Sequence, residues 1–472
     1  MSSASASPSA APAGGHVVYR RRRNVELLMD LFALCFGLAG WALTNMNLYG
    51  AVPANWPVVC GLWFAMGIAM HLVVRWRLPW ADPLLLPCVL LLNGLGLAMI
   101  HRIDQIPDPV RHDASTQLLW TALGMALFTA VVVLLKDHRR LQRFPYLLFL
   151  AGLFLLLLPL VPGLGVDQYG ARIWIRVAGY SFQPAEVAKI VLAIAFAAYL
   201  TDHREVLALA GRRFAGIEFP RLRDLGPIAI MWLASLAVLV FQNDLGTSLL
   251  FFGLFVMMLY VATEKGGWAV LGVGMFLVGG MLAYQFAGHV RVRVGAWLHP
   301  FEDYERNLQV ISAQFGYAWG GLTGRGWGLG RPGLTPLAKS DFIAGAIGEE
   351  LGVLGLMAVV MLYAIIVARS LRMALAAHEA FGKLLACGLS FVFALQVFAI
   401  IGGVTRLLPL TGLTTPFMSQ GGSSMISNWV IIAVLLVISN QARRPPVTAL
   451  PRTDLDLEDE DTMRIPVVRG QQ

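Results

Sequence analysis

Apolar stretches of about 20 residues recur along this chain from near Val25 to near Ser439, separated mostly by short polar connections. They fall near 25–46, 57–75, 82–101, 116–136, 144–163, 184–201, 225–241, 246–263, 267–287, 343–368, 381–405 and 424–440. Segments this long and this numerous cannot all share one soluble core, and the pattern predicts an all-α polytopic membrane protein of about twelve spans. The seventh and eighth spans nearly touch across 242–247, whereas a polar segment of roughly 55 residues, about 288–342, joins the ninth to the tenth.

Composition agrees with this class: 57% of the residues are hydrophobic and 14% are charged, so lipid must solvate most of the length. The first apolar run is followed by no small-residue cleavage site and by many further spans, so it is not a removable signal. Basic residues set the orientation. Arg20 to Arg23 precede the first span, Arg75 and Arg77 follow the second, and Lys136, Arg139, Arg140 and Arg143 follow the fourth. Arg204, Arg212, Arg213, Arg221 and Arg223 follow the sixth, Arg369 and Arg372 the tenth, and Arg443 and Arg444 the twelfth. With twelve spans all of these clusters share one side, which makes both termini cytoplasmic and turns 288–342 into a large outer loop. The net charge of +8 then reflects topology and contact with anionic membrane lipids. Nucleic acid is excluded as a partner, since no loop interleaves basic stripes with exposed aromatics.

Cys35, Cys60, Cys88 and Cys387 all fall inside apolar spans without paired spacing, and the nine histidines form no i, i+4 pair on a helix. Neither a disulfide framework nor a protein-ligated metal is indicated. The Ser-, Ala- and Pro-rich start, within a basic segment 1–24, and the acidic tail within 442–472 are expected to be disordered.

The unusual polar residues gather in the outward connections. After the fifth span come Arg172, Trp174 and Arg176, then Glu186 and Lys189 running into the sixth. Asp244 follows the seventh span; Arg291, Arg293, Lys339 and Asp341 lie in the long loop, with Glu349 and Glu350 just inside the tenth; Ser423 and Ser424 open the twelfth. Each admits a plain reading. Arg172, Trp174 and Arg176 suit an interfacial belt as well as phosphate contacts. Glu186 and Lys189 suit an i, i+3 ion pair, although ionisable groups inside a span usually face a cavity. Asp341 suits the start of a helix or a reactive carboxylate. Gly324, Gly326, Gly328 and Gly330 have no strand before them, so a flexible surface loop fits better than a dinucleotide cradle. Gly421, Gly422, Ser423 and Ser424 also permit close helix packing. The convergence of these groups on one side is the functional signal.

Six motifs in order resemble the SEDS proteins (shape, elongation, division and sporulation), the membrane family that includes RodA and FtsW. They are Gly-Ala-Arg-x-Trp at 170–174, Phe-Gln-Pro-x-Glu-x-x-Lys at 182–189, Asp-Leu-Gly-Thr at 244–247 and Gly-Gly-Leu-x-Gly-x-Gly at 320–326. Asp-Phe-Ile and Glu-Glu-Leu-Gly within 341–352, and Pro-Phe-x-Ser-x-Gly-Gly-Ser-Ser at 416–424, complete the set. The resemblance implies a ten-helix core over 81–441, with two additional N-terminal helices over 25–80. Ile173, Ala185, Leu337 and Gln420 depart from residues common in the family at those positions.

The resemblance further implies a peptidoglycan glycosyltransferase of the bacterial cytoplasmic membrane, active site outward, serving elongation or division. It would polymerise lipid II, an undecaprenyl-pyrophosphate-linked disaccharide peptide, into β-1,4 glycan strands with inversion. Its family partner is a class B penicillin-binding protein. Asp341 matches the catalytic aspartate; Arg172, Trp174, Arg176, Arg291, Arg293, Lys339, Ser423 and Ser424 are candidates for pyrophosphate and sugar; Glu186, Lys189, Asp244, Glu349 and Glu350 would support them. No cofactor is implied with certainty, and a divalent cation is left open. A lipid II flippase is the alternative, but it calls for two gates and ionisable groups near midplane. A non-catalytic scaffold would give no reason for buried charge at Glu186 and Lys189.

The expected orientation is tested with single cysteines in a chain stripped of its native four. Cysteines in 136–143 should react with an impermeant maleimide only from the cytoplasm, and one near Gly328 only from outside. Labelling of position 328 from the cytoplasm overturns the orientation.

Overall fold

In hydrocarbon every backbone N–H and C=O has to be paired within the chain, and the apolar stretches meet this demand as helices. The computed structural model describes residues 21–106, 113–168, 171–177, 179–208, 213–214, 217–218 and 226–445. Gly170, the basic residues Arg212, Arg221 and Arg223, and most of the two termini expected to be disordered lie outside the described residues. The helices are α1 (Arg23–Tyr49), α2 (Trp56–Arg77), α3 (Leu85–Asp104), α4 (Asp113–Leu134), α5 (Pro145–Leu157), α6 (Pro184–Ala208) and α7 (Gly226–Phe241). They continue with α8 (Leu245–Thr263), α9 (Gly266–Phe286), α10 (Gly288–Leu298), α11 (Leu308–Gly320), α12 (Ile343–Ala376), α13 (Ala380–Val404) and α14 (Gly422–Arg443).

Among the described residues ten helices are long and apolar enough to cross a membrane. The expected fifth and seventh spans are the shorter helices α5 and α7. Proline opens α5 and α6, where a missing N–H costs nothing. Asp244 caps α8 by accepting the Thr247 N–H at 2.9 Å. Helix α1 begins inside the segment expected to be disordered, because Arg23 bonds both Glu26 and the Ala81 carbonyl.

Helices α3, α6, α13 and α14 are buried along most of their length, whereas α1, α2, α9 and α12 turn most of theirs outward. Polar side chains join the inner helices where lipid offers no partner: Asn93 of α3 donates to the Phe417 carbonyl at 3.0 Å, and Tyr363 of α12 to the Pro416 carbonyl at 2.6 Å. The two contacts fix the 411–421 loop against the bundle.

Two connections hold more structure than their polarity predicts. The segment after α5 forms an antiparallel sheet of β1 (Gly165–Gln168), β2 (Ala171–Val177) and β3 (Tyr180–Phe182), with Val166 opposite Trp174 and Arg176 opposite Ser181. The expectation of an all-α chain therefore misses a sheet, which the alternation of Ala171 to Val177 encodes in too few residues to stand out beside the spans. The 288–342 segment contains α10 and α11.

The 320–331 glycines do not make a flexible loop. Helix α12 breaks at Gly352, whose φ of 69° and ψ of −172° lie outside the helical range. The break exposes the Glu349 and Glu350 carbonyls, which accept the Arg325 and Gly326 N–H groups at 3.0 Å each. In return Val353 and Leu354 donate to the Gly321 and Leu322 carbonyls at 3.0 and 3.1 Å. A Cβ at Gly324 would strike the Glu350 carbonyl, so glycine is required by this close backbone approach. The Glu349 and Glu350 carboxylates complete the attachment. Glu349 accepts the Arg331 N–H at 2.6 Å; Glu350 accepts the Gly328 N–H at 2.9 Å and the Arg102 guanidinium at 3.0 Å.

Glu350 and Arg102 are both buried, so removal of one leaves the other charge without its partner. Arg102→Met is expected to destabilise the protein by about 3–5 kcal/mol, read as a fall in the thermal unfolding midpoint. An unchanged midpoint would mean that Gly328 alone satisfies Glu350.

Candidate active site

Asp341 sits immediately before α12, in a segment pinned from behind. The Ser419 hydroxyl donates to the Ser340 carbonyl at 2.5 Å, and the Gln420 N–H to the Lys339 carbonyl at 2.8 Å. Asp341 itself is half-buried. Burial pushes its carboxyl up to about 6, against the opposing pull of the Arg293 charge. A point at the Gly412 Cα, extended by one Cβ, lies 3.7 Å from Arg293 Nη2 and 3.9 Å from Asp341 Oδ2. Gly412 has a φ of 73° and no side chain, which leaves the space between the two groups open.

Arg293 is held without being neutralised. Its Nη1 donates to the Leu410 and Thr411 carbonyls at 3.3 and 2.9 Å. Both acceptors are uncharged, so the guanidinium keeps its field while its orientation is fixed. Arg291 is two residues away on α10 and exposed. Residues two apart on a helix face different ways, so one arginine turns to the Asp341 side and the other outward.

Asp244 forms the second wall. Its Oδ1 is used in capping α8, and its Oδ2 accepts from Gln183 at 3.4 Å. Burial raises its pKa, partly offset by the Thr247 bonds and the Arg293 charge, while Glu186 adds to the rise. Glu186 and Lys189 form the expected i, i+3 pair at 2.6 Å, both buried. Lys189 also donates to Gln396 at 2.9 Å, and Gln396 to the Thr414 carbonyl at 2.9 Å. The structure thus brings together Asp341, Arg293, Asp244, Glu186 and Lys189.

It sets the other candidates apart from that group. Arg172, Trp174 and Arg176 share one face of β2; both arginines are exposed, and Arg172 lies 3.7 Å from Asp167. Lys339 is bound to Asp104 at 2.5 Å and Asp113 at 3.1 Å. Burial alone would lower its pKa, but these two carboxylates outweigh that and raise it, so it stays cationic. A cavity of about 350 Å³ lies beside it, lined by Asp104, Asp113, Lys339 and Gln420. Ser423 and Ser424 are buried at the start of α14, where Ser424 accepts from Asn428 at 2.8 and 3.1 Å. Glu349 and Glu350 hold the glycine segment, as described above.

Gln396, Thr411 and Gly412 are parts of the site that sequence reasoning missed, and Gln183 was quoted only within the 182–189 motif. A lone amide at Gln396 inside an apolar span was the available signal. Beyond Arg293 a groove of about 560 Å³ runs between α7, α8, α9 and α10, walled by Trp232, Leu249, Phe252, Phe276 and Tyr284. It is apolar along its length and has one guanidinium at its head.

One other cluster has ligand-like spacing among the described residues. Glu26, Asp30 and His71 are buried within 4.8 Å of one another, far from Asp341 in sequence. Arg23 bonds Glu26, and His71 Nδ1 lies 2.8 Å from Asp30.

A model of the cell cycle protein family that spans FtsW, RodA and SpoVE matches residues 83–444. The peptidoglycan glycosyltransferase RodA of Mycobacterium tuberculosis H37Rv is 47% identical over 432 residues, 90% of this chain and 92% of its own. The RodA of Mycobacterium leprae is 44% identical over 433 residues, 90% and 92% of the two chains. Thermus thermophilus RodA superposes with a TM-score of 0.56 at 26% identity, over 77% of this chain and 98% of that one. A chain from a peptidoglycan synthase complex that coordinates polymerization and crosslinking gives 0.62 at 27% identity, over 77% and 99%. With its long apolar helices and this match across most of its length, the chain is a multi-pass protein of the cytoplasmic membrane and belongs to the FtsW/RodA/SpoVE family.

Proposed function

We propose that this protein is a peptidoglycan glycosyltransferase that polymerises lipid II, with Asp341 as the general base. One observation carries the assignment of roles: an ionisable carboxylate and a guanidinium bonded only to backbone carbonyls face one open space at Gly412, at the head of an apolar groove. A polyprenyl diphosphate sugar has the matching parts in the same order. Its chain suits the groove, its diphosphate suits Arg293, and its anomeric carbon then falls towards Asp341.

The chemistry is a single displacement. The acceptor sugar's hydroxyl oxygen forms a bond to the donor's anomeric carbon while the bond from that carbon to the diphosphate oxygen breaks. Asp341 takes the hydroxyl proton, and polyprenyl diphosphate leaves with the bonding electrons. Attack opposite the leaving group inverts the anomeric centre and yields a β-linked strand. Arg293 stabilises the charge that grows on the diphosphate, and its fixed position means no reorganisation is needed as the bond breaks. Asp244, Glu186 and Lys189 keep the adjoining wall polar and ordered. A crosslinking partner of the class B penicillin-binding type agrees with the synthase complex to which the fold is similar. The outward placement of the site agrees with the distribution of basic residues.

Three outcomes follow for purified protein and labelled lipid II. Asp341→Asn should retain expression and substrate binding yet lose strand synthesis by roughly a hundredfold, because an amide cannot accept the proton. Near wild-type synthesis by this variant would sink the assignment, since asparagine serves a helix start about as well as aspartate does. The base works ionised, so kcat/KM, which reports the substrate-free site, should rise with pH, half-maximal at about 6, and level off above it. A profile flat from pH 5 to 7 would show an unperturbed carboxyl or a different base. Arg293→Ala should slow turnover by about 10–100-fold, the worth of a charge-assisted contact, while Arg204→Ala on the far end of α6 leaves it unchanged. Arg172→Ala should fall between the two; equal activity of all three variants removes the diphosphate role.

A further inference from the structure

Helices α1 and α2 lie outside the family match, which starts at residue 83. The solved relatives align over 98–99% of their own length yet cover 77% of this chain. The displacement at Asp341 uses neither helix. Even so, α1 touches the segment leading to Asp341 at a well-defined place.

We infer that α1 is a positioning element for that segment, acting through a clamp on Trp327; the inference rests on the polymerase reading above. Trp327 is 8% exposed, and its indole Nε1 donates to the Thr44 hydroxyl at 2.9 Å. The Thr44 hydroxyl donates in turn to the Gly40 carbonyl at 3.0 Å. The Asn47 amide donates to the Trp327 carbonyl at 2.6 Å. The ring lies against Gly40, where an added Cβ would come within 3.2 Å of Cζ2. Both the side chain and the backbone of Trp327 are thus held by one turn of α1.

The next residue is held from the opposite side. Gly328 donates to Glu350, which also accepts from Arg102, and Arg102 reaches the Gly330 carbonyl at 2.9 Å. The segment 327–330 is therefore gripped between α1, α3 and the broken start of α12, eleven or so residues before Asp341. A second path runs through α3. Trp41 of α1 stacks on His101 with ring centres 3.8 Å apart, and Asn45 Nδ2 lies 3.1 Å from His101 Nε2. One turn further along α3, Asp104 holds Lys339, two residues before Asp341. The opposite end of α1 is anchored by Arg23 to the Ala81 carbonyl and by Asp30 to His71 of α2. Fixed at both ends, α1 is a post and not a loose lipid-facing helix.

Chemistry at a positioned base tolerates little movement, and a displacement of about 1 Å can cost a hundredfold in rate. Lengthening the grip on Trp327 should therefore slow the chemical step while leaving substrate binding in the groove intact. Hydrogen bonding and ring packing are separable here. Trp327→Phe keeps an aromatic ring but removes the N–H; Thr44→Val keeps the volume but removes the hydroxyl; Thr44→Ser keeps the hydroxyl.

The test uses the full-length protein with labelled lipid II, alongside hydrogen–deuterium exchange over 321–331. Trp327→Phe and Thr44→Val should each lower kcat by roughly tenfold with KM changed less than twofold, and the double variant should be no worse than either single one. Both should speed exchange in 321–331 and move the pH midpoint of turnover, whereas Thr44→Ser should match wild type in every readout. Wild-type turnover in Trp327→Phe and Thr44→Val overturns the proposal. So does a loss without faster exchange in 321–331, or one that acts on KM alone. If the wild-type protein makes no glycan at all, it is the polymerase reading that fails, and the exchange measurement then decides on the clamp by itself.

Discussion

A helix that crosses a membrane has no spare backbone groups, so a break in one is tolerated only where other parts of the chain take up the freed carbonyls. The break at Gly352 imposes that demand, and the 321–326 segment answers it by laying its own N–H groups on the Glu349 and Glu350 carbonyls. From this one arrangement much of the outer architecture follows. The short helical piece before Gly352 is cut loose from the direction of the long piece after it, and its start carries Asp341. The glycines at 320, 324 and 352 are explained by close backbone approach, and the two glutamates by the need to hold what has been brought together.

Charge placement obeys a related economy. Away from Gly412 several buried and half-buried ions are closely paired: Arg102 with Glu350, Lys189 with Glu186, Arg369 and Arg443 with Asp82, Lys339 with Asp104 and Asp113. Such pairs contribute little net stability, but each is costly to break, so they lock relative positions. Asp341 and Arg293 differ. Among the described residues no ion pair within 4 Å joins either to an oppositely charged group, although each feels the other's field and Arg293 that of Asp244. Groups that must engage a substrate have to be left without an internal partner of equal strength, and the surrounding pairs make that state tolerable by fixing everything around it.

Much of this was legible in the sequence, for reasons that differ by residue. The spans were visible because lipid requires long apolar runs, and the pairing of Glu186 with Lys189 because their spacing puts both on one helix face. Asp341, Arg293 and Asp244 could be named as candidates because the topology placed them on one side, although only folding brings their atoms near Gly412. The sheet over 165–182 escaped notice because strands of three to seven residues give a weak signal beside twenty-residue helices. The glycine-rich segment was misread as flexible, because its partners are backbone carbonyls exposed by a break elsewhere in the chain, and carbonyls leave no mark in a sequence. The same holds for Arg293: its anchors at Leu410 and Thr411 are main-chain oxygens.

The position of Arg293 carries a final constraint on the reaction. In the proposed reaction the guanidinium would lie between a carboxylate that must lose its proton before it can act and a diphosphate that gains charge as it leaves. Before substrate arrives, its field lowers the cost of ionising Asp341, against the burial that raises it. When the diphosphate occupies the same guanidinium, part of that support is withdrawn, and the aspartate becomes the stronger base at the moment a proton is to be taken. On that proposal a single arginine would serve the leaving group and time the base. This coupling needs the two groups close but not bonded, which is the relation that the open space at Gly412 preserves.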